Sequence, residues 1–224
     1  MTQTAETPQP DAKLLFDAIR QGDAAQVKAL VAANPELGAA RNADGATAVL
    51  WAIYTRHAEL APVLLAGRDP DFYEACALGR GDRAAELLRS DAKLANSFSA
   101  DGFPALGLAV FFGHETLART LVEAGADVNE CSRNAIHVYP LHSAVAAGLA
   151  SLVDLLLAHG AKVDVVEFLG ATPLHSAAAS GNKKIAEKLL AAGADTKHKT
   201  NDGKTPADLA RQYGHAQLAA DLDR

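Results

Sequence analysis

The sequence repeats itself at a spacing of 33 residues, and this repetition restricts the possible folds more than any other feature of the chain. Segments in register begin at Pro140, Pro173 and Pro206, each 33 residues after the one before it. A fixed period of this length is typical of a stack of supersecondary units, in which each unit contacts its neighbours along the chain. Weaker copies extend the series towards the N-terminus, so that the register positions are Leu14, Ala48, Asp71, Ala105, Pro140, Pro173 and Pro206.

Each copy carries the pattern of two short helices separated by a turn. In the sixth copy, Thr172 supplies a capping hydroxyl and Pro173 stands in the first helical turn. Gly181 is expected to end this helix, because glycine adopts the left-handed conformation easily. The second helix places Ile185 and Leu189 on one apolar face. Neither helix can bury its apolar face alone, and the sequence therefore predicts that neighbouring units stack.

The motifs at the helix starts resemble those of ankyrin repeats. The chain has TPLH at 172–175, PLH at 140–142, TPA at 205–207, and GAD at 125–127 and 193–195. The resemblance covers roughly residues 11–224. It implies an all-α repeat solenoid of about seven units, including atypical caps, in which helix–turn–helix pairs are joined by short β-hairpin fingers.

We expect a flexible N-terminal tail over residues 1–10 and a single repeat array over residues 11–224. The expected units lie near residues 11–41, 42–68, 69–97, 98–130, 131–165, 166–198 and 199–224. The step from Ala48 to Asp71 is ten residues short of the period, which predicts a missing finger between Leu65 and Phe72. A neutral deletion and a functional gap both remain open, since surface loops tolerate changes of length.

Two smaller departures from the pattern carry their own predictions. The fifth unit has about two extra residues in CSRNAIHVYP, so its finger should be longer. Arg56 replaces the glycine between the helices of the second unit, so that turn should differ from the others.

Composition and charge exclude several classes of function. The net charge is −6 and no Lys/Arg-rich run is present, which argues against a nucleic-acid partner. The first ten residues lack the basic and apolar regions of a signal peptide, and the longest apolar runs are too short to cross a membrane. The two cysteines, Cys76 and Cys131, do not suggest a disulfide framework, so we expect a cytoplasmic protein.

No motif for catalysis, a cofactor or a metal is evident. The sequence has no GxSxG elbow, P-loop or HExxH. Cys131, His137 and His142 lie close in sequence but lack the spacing of zinc ligands. We therefore predict no enzyme activity, no cofactor and no metal site.

Two residue types at repeated positions have ordinary structural roles. The ankyrin resemblance implies that His142 and His175 bond to the backbone between adjacent units. Asp101 and Asp202 stand beside glycines at expected finger tips, where hydrogen bonding within an Asx-turn is usual.

The scarce aromatic residues point to a binding surface. In ankyrin arrays the concave surface is built from the finger tips and from the two residues before the inter-helix glycine. Exposed apolar patches and aromatic anchors are typical of protein interfaces. We therefore expect another protein, bound across units four to six as a helix or an extended peptide, to contact residues from this set: Tyr54, Phe103, Phe111, Phe112, Ile136, Val138, Phe168, Leu169 and Tyr213.

Three alternatives remain at this stage. Phe111 or Phe112 could turn inward and fill the space left by Gly107, which replaces the usual histidine. The chain could instead be a homo-oligomer that buries the same patch, although we expect a monomer. A small-ligand binder or an enzyme would use the fifth finger and the gap beside Leu65, where the sequence offers no convergent polar set.

Overall fold

The computed structural model describes residues 10–135 and 137–223, without the side chain of Pro10. Residues 1–9 of the expected tail lie outside this part, and Pro10 begins the first helix. The α-helices of the described residues are α1 (Pro10–Gln21), α2 (Ala24–Ala33), α3 (Ala48–Tyr54), α4 (Ala61–Leu65), α5 (Phe72–Leu78), α6 (Gly81–Ser90), α7 (Ala105–Phe111), α8 (Glu115–Glu123), α9 (Pro140–Ala146), α10 (Ala150–Ala158), α11 (Pro173–Ala179), α12 (Lys183–Ala191), α13 (Pro206–Gln212) and α14 (Ala216–Leu222).

Consecutive helix pairs stack in the order of the sequence. The first helix of each pair packs on the first helix of the next, from α1 through to α13, and α10 packs on both α8 and α12. The apolar faces meet in these contacts, and Leu152, Leu156, Ile185 and Leu189 are fully buried. The predicted all-α repeat solenoid is confirmed.

Two of the helices begin with a reciprocal capping box. Thr205 Oγ1 accepts the backbone N–H of Asp208, whose carboxylate accepts the N–H of Thr205. Asp71 and Glu74 form the same reciprocal box at the start of α5. Each box satisfies backbone donors that a helix start leaves free.

The prediction that Arg56 changes its turn is wrong. Arg56 has a φ of 67°, within the 66–85° range of the glycines at the equivalent positions, which are Gly22, Gly79, Gly113, Gly148, Gly181 and Gly214. The backbone bonds are also equivalent: Arg56 N–H donates to Ile53 and His57 N–H to Ala52, as Gly181 N–H donates to Ala178 and Asn182 N–H to Ala177. The hydrogen bonds that end the helix therefore hold even a non-glycine residue in the left-handed region.

Backbone hydrogen bonds close each finger, two across the second and fourth fingers and one across the fifth, sixth and seventh. We number each finger by the unit that it precedes: second (residues 40–47), fourth (97–104), fifth (130–139), sixth (165–172) and seventh (198–205). In the fourth finger the N–H of Ser99 donates to the carbonyl of Phe103, four residues later, at 2.9 Å. In the fifth finger the N–H of Ser132 donates to Val138, six residues later, so the two predicted extra residues are present.

The fingers are shorter than two-stranded hairpins. The second and fourth each contain one isolated β-bridge, Arg41 with Thr47 and Phe98 with Pro104, and no strand forms among the described residues. These few backbone hydrogen bonds lie at the base of each finger and leave its tip as a turn.

The second and third units are joined without a finger. Residues 66–71 lead directly from α4 to α5, as the short spacing predicts. A Cβ placed on Gly45 would lie 2.8 Å from the carbonyl oxygen of Ala100, so the tips of the second and fourth fingers meet across the gap. The buried core divides near this junction into two clusters, one in α1–α4 with Ala77 and one from α5 to α14. Tyr54, Tyr73 and Phe112 pack against both clusters.

Candidate partner-binding surface

An open apolar pocket lies where the second, fourth and fifth units meet. It encloses about 230 Å³ and is lined by Tyr54, Phe103, Pro104, Gly107, Leu108, Phe111, Val138 and Ser143. Tyr54 of α3 and Phe111 of α7 hold equivalent positions, each two residues before the left-handed turn residue of its unit. The equivalent residue of α5 is the small, buried Ala77, and the third unit has no finger, so Tyr54 reaches the fourth unit.

The pocket exists because Gly107 has no side chain. Gly107 is the third residue of α7, the position that His142 holds in α9 and His175 in α11. Each histidine Nε2 donates to a carbonyl of the next finger, His142 to Ala171 and His175 to Lys204, both at 3.1 Å. At Gly107 the space that an imidazole would fill stays open beneath Val138, which is the residue of the fifth finger equivalent to Ala171.

Neither phenylalanine fills that space. Phe111 forms the rim of the pocket with 58% of its surface exposed. Phe112 is half-buried behind it, with its ring edge-on to Phe111 at 5.0 Å and stacked on Tyr54 at 6.1 Å. Tyr54 also contacts Phe103, at a ring distance of 5.8 Å. Aromatic contacts in these geometries hold the rings in place.

Tyr54 is fixed by a hydrogen bond to the fourth finger. Its hydroxyl donates to Asp101 Oδ2 at 2.8 Å, across 47 positions of the sequence. Burial, with the carboxylate of Asp101 as a further cause, raises the pKa of Tyr54 far above its ordinary value, so the phenol keeps its proton. The expectation that Asp101 serves an Asx-turn is wrong, because its carboxylate contacts a distant unit instead.

The structure divides the predicted surface into two parts. Four of the predicted residues line the apolar pocket, namely Tyr54, Phe103, Phe111 and Val138. Phe112 packs behind it. Leu169 and Tyr213 line a separate recess of about 480 Å³ beside α13. Phe168 is 69% exposed on the sixth finger and lines neither cavity. Ile136 lies outside the described residues.

Small residues separate the two parts. Ala146 and Ala147 of the fifth unit occupy the positions of Phe111 and Phe112, and both are exposed. Of the equivalent residues of the sixth unit, Ala179 is half-buried and Ser180 is exposed. An extended partner segment could therefore cross from the apolar pocket to the sixth finger without meeting a bulky side chain.

Sequence reasoning missed several residues around the pocket. Pro104 and Ser143 line it because they stand at the starts of α7 and α9, which flank the space beside Gly107. Trp51 and Phe98 line a neighbouring recess between the second and fourth fingers. The ten-residue deficit before Phe72 was the signal for that recess, because it brings the second unit next to the fourth finger.

Other chemistry has little geometric support in the described part of the chain. There, no three His, Cys, Asp or Glu side chains come together as metal ligands would. Cys76 is buried, and burial raises the pKa of its thiol to about 12, which leaves it protonated at neutral pH. Across the described helices, none has both the length and the apolar content that crossing a membrane requires.

The buried histidines make stability depend on pH. Burial lowers the pKa of His175 below its ordinary 6.5. Its Nδ1 accepts the N–H of Thr172 at 3.1 Å, so Nε2 carries the hydrogen and the ring is neutral. As the pH falls below 6.5 the unfolded chain is protonated first, so this part of the stability is complete above pH 6.5 and is lost as the pH falls through the folded-state pKa.

We therefore expect a smaller loss of stability between pH 7.5 and pH 5.5 in His175→Gln than in the unmodified protein, measured by urea unfolding. His159→Gln is the control, because His159 is exposed at the end of α10 and its replacement should keep the original pH dependence. Equal losses in the unmodified protein and in His175→Gln would contradict the assignment.

Comparison with known proteins agrees with the architecture. A sequence model of the family described as "Ankyrin repeats (3 copies)" matches residues 15–131, 72–167 and 141–222. A 59-residue stretch is 48% identical to Ankyrin repeat and SOCS box protein 16 of Mus musculus and 44% identical to the protein of the same name from Homo sapiens. Each match covers 26% of this chain and 13% of the relative, so these relatives are similar over a small part of their length. The family match extends over nearly all of the described units, and the chain belongs to the ankyrin repeat family.

Proposed function

We propose that this protein binds a partner protein by accepting a bulky apolar side chain of that partner in the apolar pocket. The observation that carries the proposal is the open space beside Gly107, walled by Tyr54, Phe103 and Val138 and rimmed by the exposed ring of Phe111. Rigid aromatic walls around a desolvated pocket are typical of interface hot spots. A volume of about 230 Å³ suits one side chain better than a small-molecule ligand, whose sites usually enclose roughly 300–1,000 Å³.

In this proposal the protein catalyses no reaction and acts in the cytoplasm. Ankyrin repeats generally serve as protein-interaction modules, and Cys76 and Cys131 are both free thiols, as a reducing compartment would keep them. The partner segment lies along the concave surface, with its apolar anchor at the fourth unit and its continuation over Ala146 and Ala147 towards Phe168.

Phe111→Ala is expected to weaken partner binding by about 2 kcal/mol or more, which corresponds to a roughly thirtyfold loss of affinity. The ring forms the exposed rim of the pocket, so its removal takes away contact area without opening the core. The measurement is capture of partners by the tagged protein in extracts of its own cells, quantified by mass spectrometry and followed by titration of the captured protein. Phe168→Ala, tested separately, shows whether the segment continues to the sixth finger.

The matched control is Leu14→Ala, because Leu14 is also apolar and 48% exposed but lies in the first unit. Capture should be lost in Phe111→Ala and retained in Leu14→Ala. Undiminished capture by folded Phe111→Ala would reject the pocket as the binding site. A mass in solution that rises with concentration, and that Phe111→Ala returns to the monomer value, would instead support burial of the pocket between two copies of the chain.

A further inference from the structure

A second cavity lies directly beside the apolar pocket, between the second and fourth fingers. This finger recess encloses about 750 Å³, and its walls include Asp44, Trp51, Tyr54, Phe98, Asp101 and Phe103. Its walls come from fingers that are neighbours because the third unit has no finger. Its walls combine aromatic rings with two carboxylates, which is a different chemistry from that of the apolar pocket.

One of the two carboxylate oxygens of Asp101 is hydrogen-bonded and the other is not. Oδ2 accepts the hydroxyl of Tyr54 at 2.8 Å, and this bond fixes the orientation of the group. Oδ1 is buried and has no hydrogen-bond partner among the described residues. Oδ1 is shielded from water, so the carboxylate acts on a side chain in the recess through its negative charge, which no donor besides the hydroxyl of Tyr54 offsets within the described residues.

The charge of the recess favours a cation. Within the described residues neither Asp44 nor Asp101 forms an ion pair, although both line the recess. Arg133 also lines the recess, but it does not pair with either carboxylate. Its guanidinium lies 3.5 Å from the centre of the Phe98 ring and forms an ion pair with Glu130 at 3.8 Å. The position of Arg133 illustrates that a ring in this recess attracts a guanidinium, since aromatic faces carry negative charge density.

The recess and the apolar pocket share two walls. Tyr54 and Phe103 line both cavities, so a partner segment seated in one passes beside the other. A protein segment with a bulky apolar residue followed closely by a basic residue would place one side chain in each cavity.

We propose that the finger recess binds a cationic side chain of the partner protein, an arginine or a lysine, through the carboxylate of Asp101 and the rings of Trp51 and Tyr54. The proposal rests on the proposed function only in that the partner supplies the side chain. The missing third finger brings the walls of this site together, because it lets Tyr54 of the second unit reach Asp101 of the fourth finger.

Trp51 provides a direct test because it is the single tryptophan of the chain and lines the recess. The indole N–H signal of ¹⁵N-labelled protein is followed by NMR during titration with n-butylguanidinium chloride, at constant ionic strength. The neutral probe n-butylurea, which has a similar shape, is titrated in parallel. We expect a saturable shift with butylguanidinium and at least fivefold weaker binding of butylurea.

Two variants locate the binding. Asp101→Asn keeps an acceptor for Tyr54 but removes the charge, and we expect at least fivefold weaker binding of butylguanidinium. Asp202→Asn is the matched control, since Asp202 stands beside Gly203 in the seventh finger as Asp101 stands beside Gly102 in the fourth, and binding should not change. The comparison of the two probes on the unmodified protein needs no variant, so a folding defect in Asp101→Asn leaves the test intact.

The proposal is overturned if butylguanidinium gives no saturable shift, if butylurea binds equally well, or if folded Asp101→Asn binds like the unmodified protein. Any of these results, together with loss of partner capture in Phe111→Ala, would remove the cation site and leave the proposed function standing. Saturable binding of butylguanidinium with undiminished capture by Phe111→Ala would support the cation site and reject the apolar pocket as the partner-binding site.

Discussion

Glu74→Ala is expected to lower the free energy of unfolding by about 1–3 kcal/mol, because it leaves the half-buried guanidinium of Arg68 and the backbone N–H of Asp71 without their acceptor. Glu74 is fully buried, and its carboxylate accepts both terminal nitrogens of Arg68, at 2.7 and 2.8 Å, and the N–H of Asp71 at 2.9 Å. The same guanidinium donates to the carbonyl of Gly38 at 3.3 Å. These bonds join the first unit to the third at the point where the finger is missing.

The protonation of Glu74 agrees with this role. Burial alone would raise its pKa, but the hydrogen bonds from Arg68 and from the backbone of Asp71 outweigh burial and lower the pKa below the ordinary 4.5. The contribution of Glu74 to the free energy of unfolding is therefore fully present above pH 4.5, and it is lost as the pH falls through the folded-state pKa. At neutral pH the ion pair is fully formed.

The effect of Glu74→Ala is measured by urea unfolding at pH 7 with two probes. Far-ultraviolet circular dichroism follows all helices, whereas the fluorescence of Trp51 follows the second unit. Because the core divides near this junction, we expect the Trp51 transition of Glu74→Ala to have its midpoint at a lower urea concentration than the circular dichroism transition of the whole chain.

The control for Glu74→Ala is Glu86→Ala. Glu86 pairs with Arg83 on α6, but its side chain is 61% exposed, and such pairs contribute at most about 1 kcal/mol. A loss in Glu74→Ala as small as that in Glu86→Ala would show that the buried pair does not hold the junction.

Leu156→Ala is expected to cost about 2–5 kcal/mol of unfolding free energy. Leu156 is fully buried on α10, the helix that packs on both α8 and α12. A cavity there weakens two interfaces at once, and in a repeat array the interfaces between neighbouring units supply much of the stability. The measurement is again urea unfolding at pH 7.

Leu169→Ala removes the same atoms from a side chain that is 62% exposed on the sixth finger, so its effect should stay within about 0.5 kcal/mol. If Leu156→Ala and Leu169→Ala had similar effects, the stacked interface of α10 would not be the source of stability that the packing indicates.

The sequence alone determined those features that depend on residues close together along the chain. The repeat period of 33 residues and the longer fifth finger were both predicted and are confirmed. Thr172 stands at the predicted helix start, but its hydroxyl contacts Nδ1 of His175 and not a backbone N–H. Helix caps and turns are made by residues within a few positions of one another, so their chemistry can be recognised wherever the pattern occurs. The family motifs added the stacking, because a repeated apolar face requires a neighbour.

The prediction for Arg56 was wrong because it was based on the residue type alone. Glycine is favoured at a left-handed position, yet the hydrogen bonds to Ile53 and Ala52 are enough to hold an arginine there. The residue type indicates a preference, and the backbone bonds around it decide the conformation.

Only the tertiary structure decided what the concave surface can do. The aromatic residues of that surface were predicted, but their division between an apolar pocket and a separate recess follows from the distances between units. Tyr54 meets Asp101 because a finger is absent between them, and Gly107 opens a pocket because Val138 overhangs it from another unit. Side chains far apart in sequence meet according to the positions of whole units, and those positions are set by the packing of the entire array.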